Sequence, residues 1–569
     1  MPKAHHADVE HDVIFDVIVV GSGGGAQLSA VRAHDLGLNV LVIEKSELYG
    51  GTSATSGGAL WIPLNGQAKD DYASAYTYLK AAAGDTATDS KLRAYLESGA
   101  ELIRFINEKT ALRYKVSEGY ADYYPEMPGA VESGRAMEPL PFDGSLLGEE
   151  FFRLRPSHPG SLLMGMSMTI PESNAMATKA PGWIGVALKI LARYWLDLPW
   201  RFKTRRDRRL CLGNALIGGL RQAMLARDIP LWLECPMQSL IVENGRVQGV
   251  MAHRGGHTVM LRARRGVILA AGGFERNQQM REQYLPQPTR QEWSVTPANI
   301  NTGDAIRAAQ AIGAKLENMT LAWGVPSVRH PDISQGTQAI FAERGFGGLI
   351  AVNQQGRRFV NESISYDRFY EALYRDHAKT GGSIPAWLIF DAQHRKDCPL
   401  GPLLPAAVMP DSKVPKAWWG DFVFKDASLE GLARRIGVDP TGLADSVRRN
   451  NEYARTGVDQ DFHRGESAFD RYWALRNAKP NPCLVKIEKP PFYAVKIQPG
   501  DTGTKGGPAI TDDGQVIAET GEPIPGLYCI GNNAAAPLGR AYGGAGGTLG
   551  PSLVFGFRAV NHLARTTTP

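Results

Sequence analysis

A chain of 569 residues exceeds what one hydrophobic core spans, so two or more domains are expected. Hydrophobic residues at 43% and charged ones at 21% suit a globular protein, and a net charge of +5 excludes the basic surplus of a nucleic-acid binder. Five scattered cysteines with no C-x-x-C exclude a disulfide framework and a zinc or iron–sulfur site, and no run of roughly 18 apolar residues is long enough to span a bilayer. The polar N-terminus MPKAHHADVEHD lacks a signal-peptide core, and His5, His6 and His11 read as a solvated tail rather than a metal site. Together these features fit a reducing, cytoplasmic setting.

Ile14–Val20 is a continuous apolar run, the pattern of a strand covered on both faces. Gly21, Gly23 and Ala26 then fill G-x-G-x-x-A, with Ser22, Gly24 and Gly25 between them. Such a turn gives a tight reversal, backbone approach to a pyrophosphate and close helix packing. Amides at the start of the following helix favour the phosphate charge. A second strand, 39–43, ends at Glu44, a carboxylate placed for ribose hydroxyls. Up to this point NAD and FAD fit equally well.

After Lys45 comes a glycine, serine and threonine loop, with Gly51, Thr52, Ser53, Ser56, Gly57 and Gly58. The turn, Glu44 and this G-G-T-S-x-x-S-G-G together resemble the fumarate reductase/succinate dehydrogenase flavoprotein superfamily. The resemblance implies an α/β fold: a Rossmann-type FAD-binding domain with an inserted α+β substrate domain. It implies FAD contacted by the residues just named. Further contacts would come from Met237 and Gln238, Ala271 and Gly272, Gly303 and Asp304, Gly531 and Asn532, and Gly547 and Leu549. Members with covalent flavin carry a histidine in the loop; this one has none, which implies non-covalent FAD.

Residues 70–110 read as helices. The segment 118–143 is rich in proline, glycine and tyrosine, with Tyr120, Tyr123 and Tyr124 close together. It is similar to a stretch of the 3-ketosteroid Δ1-dehydrogenases, a branch of the same superfamily. That similarity puts Tyr123 in the active site, with Tyr120 and Tyr124 as alternatives. Residues 182–209 pair a wide apolar helix with Arg201, Lys203, Arg205, Arg206, Arg208 and Arg209. One reading is a core helix followed by a solvated basic turn; the other is a helix lying in a membrane interface. The width of the apolar arc favours the first.

A helix over 212–230 and a meander over 231–273, with a hairpin at Asn244-Gly245, complete a first FAD-domain segment at about 1–275. The inserted domain then runs from 276 to 490, and the second FAD-domain segment from 491 to 569. A helix over 301–314 is expected, capped by Thr302 or Asp304. After R-F-x-N-E at 358–362, Tyr366, Phe369 and Tyr370 share a helix face. By the resemblance Tyr366 is the base, with Tyr370 as the alternative. Strands over 490–510 and 526–532 and a Gly-rich turn opening a helix at 539–565 close the chain. Its A-Y-G-G-A-G matches the family's A-Y-P-G-A-G, so Tyr542 and the Gly546 amide would bind the ketone oxygen. Gly543 replaces the usual proline, which loosens the turn.

The implied reaction is 1,2-dehydrogenation of a 3-ketosteroid, with hydride from carbon 1 to FAD and a proton from carbon 2 to Tyr366, assisted by Tyr123. An external acceptor, of the quinone class, would remove the electrons. The competing expectations are a 4-dehydrogenase of 5α-steroids, a fumarate-type enzyme using Arg329 and His330 as a carboxylate clamp, and a flavin-fold escort protein without turnover. Peripheral attachment to the inner face of the cell membrane stays open alongside a freely cytoplasmic protein.

Overall fold

The computed structural model describes residues 10–331 and 336–566. His5, His6 and the His11 side chain lie outside what is described. The first apolar run forms the strand Glu10–Val20, whose Val17, Ile18 and Val19 are fully buried. It pairs in parallel with Val40–Ile43 on one side and His257–Leu269 on the other. Leu231–Trp232 extends the sheet beyond the former and Pro523–Cys529 beyond the latter, both in parallel. Gln515–Ile517 adds an antiparallel edge. The hairpin of Met237–Glu243 and Arg246–Arg254 turns at Asn244 and Gly245, both at positive φ, as the Asn-Gly pair requires.

Two helices cross above this sheet, Gly24–Asp35 and the C-terminal Leu549–Arg565. They approach closely at Gly25, where a Cβ would stand 2.4 Å from the Ser552 hydroxyl. The long final helix is thereby pinned over the dinucleotide turn, joining the two ends of the chain.

A second, antiparallel sheet runs Thr337–Ala339, Ala322–Arg329, Phe492–Thr504, Ala386–Asp391 and Leu349–Val352, with Val423–Asp426 beside the third of these. The expected return to the first domain at 491 is therefore corrected. Residues 492–497 pair with Ala386–Asp391 and 498–504 with Ala322–Arg329. That long strand belongs to the second sheet, and the chain rejoins the first sheet only with Gln515–Ile517 and Pro523–Cys529. The helix Tyr366–Thr380 packs on the second sheet where Gly324 lies under the Tyr370 ring; a Cβ there would be 2.2 Å from it.

Two local expectations change. The helix Asp304–Ala311 is capped by Gly303 at φ 76°, not by Thr302 or Asp304, because both of those side chains are held by Lys45. The helix Trp183–Leu196 is not a core helix: only Ile190 on it is buried. It packs against the short helix Ile170–Ala177, which covers one side. Leu196 is 77% exposed and Phe202, just beyond, 90%. The basic turn is only partly solvated, since Arg208 pairs with Asp197 and Arg209 with Glu172. All five cysteines are buried and free. Among the described residues no helix is long and apolar enough to cross a membrane.

Candidate active site

Gly21 sits at φ 108°, and a Cβ on it would fall 2.4 Å from the Ala270 carbonyl oxygen, so only glycine makes this turn. The Gly24 amide donates to the Ser53 hydroxyl at 3.1 Å, which ties the turn to the second loop. The Glu44 carboxylate, at the end of the second strand, accepts from the Ser22 amide (3.1 Å), the Ser22 hydroxyl (2.6 Å) and the Ser46 amide (2.9 Å). Lys45 reaches across to Asp304 at 2.6 Å. A Cβ on Gly51 or Gly57 would meet nothing within 4 Å, so these backbones border open space. Free backbone around a helix N-terminus, with an acid at the next strand's end, fits a dinucleotide.

That space is one continuous cleft of about 790 Å³. Its lining includes 21–26, Glu44, Lys45, Gly51, Thr52, Ser53, Ser56, Gly57, Gly58, Met237, Ala271, Gly272, Asp304, Gly531, Asn532 and Leu549. Three residues assigned to the cofactor do not line it. Gln238 is exposed on its strand. Gly303 is spent as a helix cap, its amide bonded to the Gly273 carbonyl. Gly547 backs onto the Tyr542 ring, 2.8 Å from where its Cβ would be.

The same cleft is lined by Tyr123, Tyr366 and Tyr542. The Tyr123 hydroxyl donates to that of Tyr366 at 3.0 Å, and Tyr366 donates to Tyr542 at 2.6 Å. The ring centroids form a near-regular triangle with sides of 5.2, 5.3 and 5.3 Å. Tyr366 is delivered by the first residue of its helix, Tyr123 by the 118–143 loop and Tyr542 by the C-terminal turn. Burial raises all three phenols above their ordinary value, those of Tyr123 and Tyr366 well above it; the neighbouring phenols add to the rise at Tyr123, whereas the hydrogen bond from Tyr366 works against it at Tyr542. All three are therefore protonated at neutral pH, and with Tyr366 donating to it, the Tyr542 proton is left to face the cleft.

The alternatives fall elsewhere. Tyr370 packs edge-on to Tyr374 at 5.0 Å and over Gly324, outside the cleft. Tyr120 lines the cleft but packs, tilted, against the Tyr472 ring at 4.5 Å. Tyr124 donates to the Asp367 carboxylate and accepts from the Tyr542 amide at 3.2 Å, so it holds the turn instead of facing the cleft. Arg329 is exposed and paired with Asp421 at 2.6 Å, and neither it nor His330 lines the cleft, which removes the carboxylate clamp.

Gly546 lines the cleft at φ 97°, and a Cβ on it would be 2.4 Å from the Ala59 backbone. Among the described residues its amide donates to no carbonyl. The turn before it is not loosened by Gly543. The Gly543 carbonyl accepts from the Tyr123 amide (3.1 Å) and the Tyr78 hydroxyl (2.7 Å), and a Cβ would come within 2.6 Å of the Trp61 ring. The indole occupies the space a proline ring would need.

Several cleft residues carry no sequence signal. Phe341 lines it and meets the Tyr366 ring edge-on at 5.0 Å, and behind the lining Trp323 meets Tyr542 at 4.8 Å. One face of the exposed helix, Trp183, Ala187 and Leu191, also lines the cleft, as does Met164. Only contact in three dimensions could place these.

A family profile described as "FAD binding domain" matches residues 16–549. The chain is 41% identical to a 3-oxosteroid 1-dehydrogenase of Comamonas testosteroni, over 98% of this chain and 97% of that one. It is 39% identical to the protein of the same name from Mycobacterium tuberculosis, over 97% and 98%. Among solved structures it resembles the 3-ketosteroid Δ1-dehydrogenase of Sterolibacterium denitrificans in complex with 1,4-androstadiene-3,17-dione. That likeness has a TM-score of 0.95 at 53% identity and covers 97% of this chain and all of that one.

Proposed function

The chain belongs to the FAD-binding-domain family and, within it, to the 3-ketosteroid Δ1-dehydrogenases, and from that membership we propose that it introduces the 1,2 double bond of a 3-ketosteroid. FAD is its cofactor, held without a covalent bond, since residues 51–58 contain no histidine. The observation that carries the reading is the chain of three hydroxyls, Tyr123 to Tyr366 to Tyr542, opening into the same cleft as the glycine turn.

A proton on carbon 2 of a 3-ketone is weakly acidic until the ketone oxygen is stabilised. The Tyr542 hydroxyl and the Gly546 amide are the donors for that oxygen, in a site walled by buried aromatic rings. Tyr366 takes the carbon 2 proton. It does so as the phenolate, its own proton having first left through the cleft to solvent, and Tyr123, whose hydroxyl donates to the Tyr366 oxygen, holds that oxygen in place and stabilises its charge. FAD, when bound, supplies the two-electron acceptor for the carbon 1 hydride. Given a 4-ene-3-ketosteroid and a saturated 5α-dihydro-3-ketosteroid, the protein is expected to form a 1,4-diene from the first and a 1-ene from the second, with no 4-ene made from the second. A 4-ene product identified by mass spectrometry and its ultraviolet band would contradict the reading.

The exposed helix supports peripheral attachment to the inner face of the cell membrane. Ile184, Leu188, Trp195, Leu196, Leu198 and Phe202 are exposed together, with Lys189, Lys203 and Arg205 around them. Apolar side chains ringed by cations suit the boundary of an anionic bilayer. The adjoining face of this helix, with Trp183, Ala187 and Leu191, lines the cleft, so a lipophilic steroid passes from bilayer to site along one element, and a lipid-soluble quinone is a fitting acceptor. The protein is expected to co-sediment with vesicles containing anionic lipid at low salt and less so at high salt. Binding at neither salt concentration would exclude attachment.

A further inference from the structure

Behind the aromatic wall of the site lies a cation that the steroid chemistry described above does not use. Lys505 follows the last residue of the strand Phe492–Thr504 and is only 4% exposed. Its backbone is fixed on both sides: its amide donates to the Leu321 carbonyl at 2.9 Å, and its carbonyl accepts from the Ala536 amide at 2.8 Å. Its Nζ donates to the Arg540 carbonyl at 2.7 Å. The same Nζ lies 4.2 Å from the centroid of the Trp323 ring and 5.7 Å from that of Tyr542. Trp323 is itself held by donating its indole N–H to Asn532 at 2.9 Å, and meets Tyr542 edge-on.

Taking an ammonium out of water is costly, and an apolar side chain of the same length would pack here without that cost. A cation over aromatic faces recovers part of it, and polarises the rings it faces. We propose that Lys505 is a positioning residue for Tyr542: its ammonium, set against the Trp323 and Tyr542 rings, makes the Tyr542 hydroxyl a stronger donor to an oxygen that gains negative charge. The proposal rests on Tyr542 being the ketone donor. The effect grows as the charge develops, because the attraction between an ammonium and an enolate oxygen is absent from the neutral ketone. It therefore acts on turnover more than on steroid binding.

The charged groups that act on Lys505 are Asp367 and Glu371, from the helix Tyr366–Thr380, and Arg540, from the C-terminal turn; the phenols of Tyr542 and, through Asp367, Tyr124 complete its surroundings. Burial outweighs the two carboxylates and pulls Lys505 down to about 8. The protonated form is the active one. Its contribution is complete below that pH and is lost above it.

The test uses the full-length flavoprotein with Lys505→Met and Lys505→Arg, with Tyr542→Phe alongside. Lys505→Met is expected to keep its flavin absorbance and to lose on the order of tenfold or more in kcat with little change in KM. Wild-type log kcat is expected to bend downward near pH 8, and Lys505→Arg, whose cation does not titrate, to keep most of the activity without that bend. A steroid with a phenolic ring A, which offers an ionisable oxygen at the ketone position, is expected to bind Lys505→Met about tenfold more weakly. Wild-type kcat and phenol affinity in Lys505→Met would overturn the proposal, as would an unmoved bend in Lys505→Arg. If Lys505→Met does not hold flavin, the Lys505→Arg profile decides alone. Unchanged turnover in Tyr542→Phe would instead remove the reading of the site on which the proposal stands.

Discussion

Replacing Tyr542 by phenylalanine is expected to lower kcat for a 4-ene-3-ketosteroid by about 10²–10³, the usual loss for one preorganised donor to a developing oxyanion. The phenylalanine ring keeps the contacts that hold the turn. Trp323 meets the ring at 4.8 Å, Tyr123 at 5.3 Å and Tyr366 at 5.3 Å. The backbone amide still donates to Tyr124. What disappears is one oxygen, which accepts from Tyr366 at 2.6 Å and directs its own proton into the cleft. Flavin content, read from absorbance, is expected to stay at the wild-type level, because the glycine turn and the 51–58 loop are untouched. A variant with wild-type turnover would remove Tyr542 from the chemistry.

The second large effect is expected for Tyr366→Phe. General-base catalysis contributes about 10²–10⁴ in rate, and this substitution removes the acceptor for the carbon 2 proton. It also removes the middle member of the hydroxyl chain, leaving Tyr123 without its partner. Burial holds the Tyr366 phenol well above its ordinary value, so the deprotonated form is scarce at neutral pH. Wild-type kcat/KM is accordingly expected to rise with pH between 6 and 8, a range that lies below phenol ionisation. In Tyr366→Phe that rise is expected to vanish together with the activity. Tyr370→Phe is the matched control: its hydroxyl faces Tyr374 and not the cleft, so near-normal kinetics are expected. The reverse ranking of the two variants would assign the base to Tyr370.

The two ends of this site were legible to different degrees. The dinucleotide end is local. A strand, a glycine turn, a helix and an acid follow one another within 35 residues, and each leaves a periodicity or a residue type behind. The tyrosine end is not local. Tyr123 and Tyr366 are 243 residues apart, and Tyr366 and Tyr542 176. Tyrosines are common enough that no spacing rule joins three of them. Only the family resemblance singled these out, and Tyr370 and Tyr120 competed with them until the fold placed one ring over Gly324 and the other against Tyr472.

Three misreadings share a physical cause, which is that burial and pairing belong to partners. The strand Phe492–Thr504 is apolar and glycine-bounded like a strand of the first sheet, yet its hydrogen bonds go to the second. The helix Trp183–Leu196 has the composition of a core helix, but only one of its faces meets protein. Gly543 read as a loosened turn because its carbonyl partners, Tyr123 and Tyr78, and the Trp61 ring beneath it come from distant segments. Lys505 obeys the same rule: a lone lysine after a strand reads as solvated until the Trp323 and Tyr542 rings close over it.

The glycine turn and the tyrosine triangle are proposed to serve one reaction in one cleft. Anaerobic addition of a 4-ene-3-ketosteroid to the oxidised flavoprotein tests it directly. One equivalent of steroid per flavin is expected to bleach the flavin absorbance and to leave a 1,4-diene-3-ketone as the product. A flavin that stays oxidised in the presence of excess steroid, or one that bleaches while the steroid gains its double bond elsewhere, would contradict it.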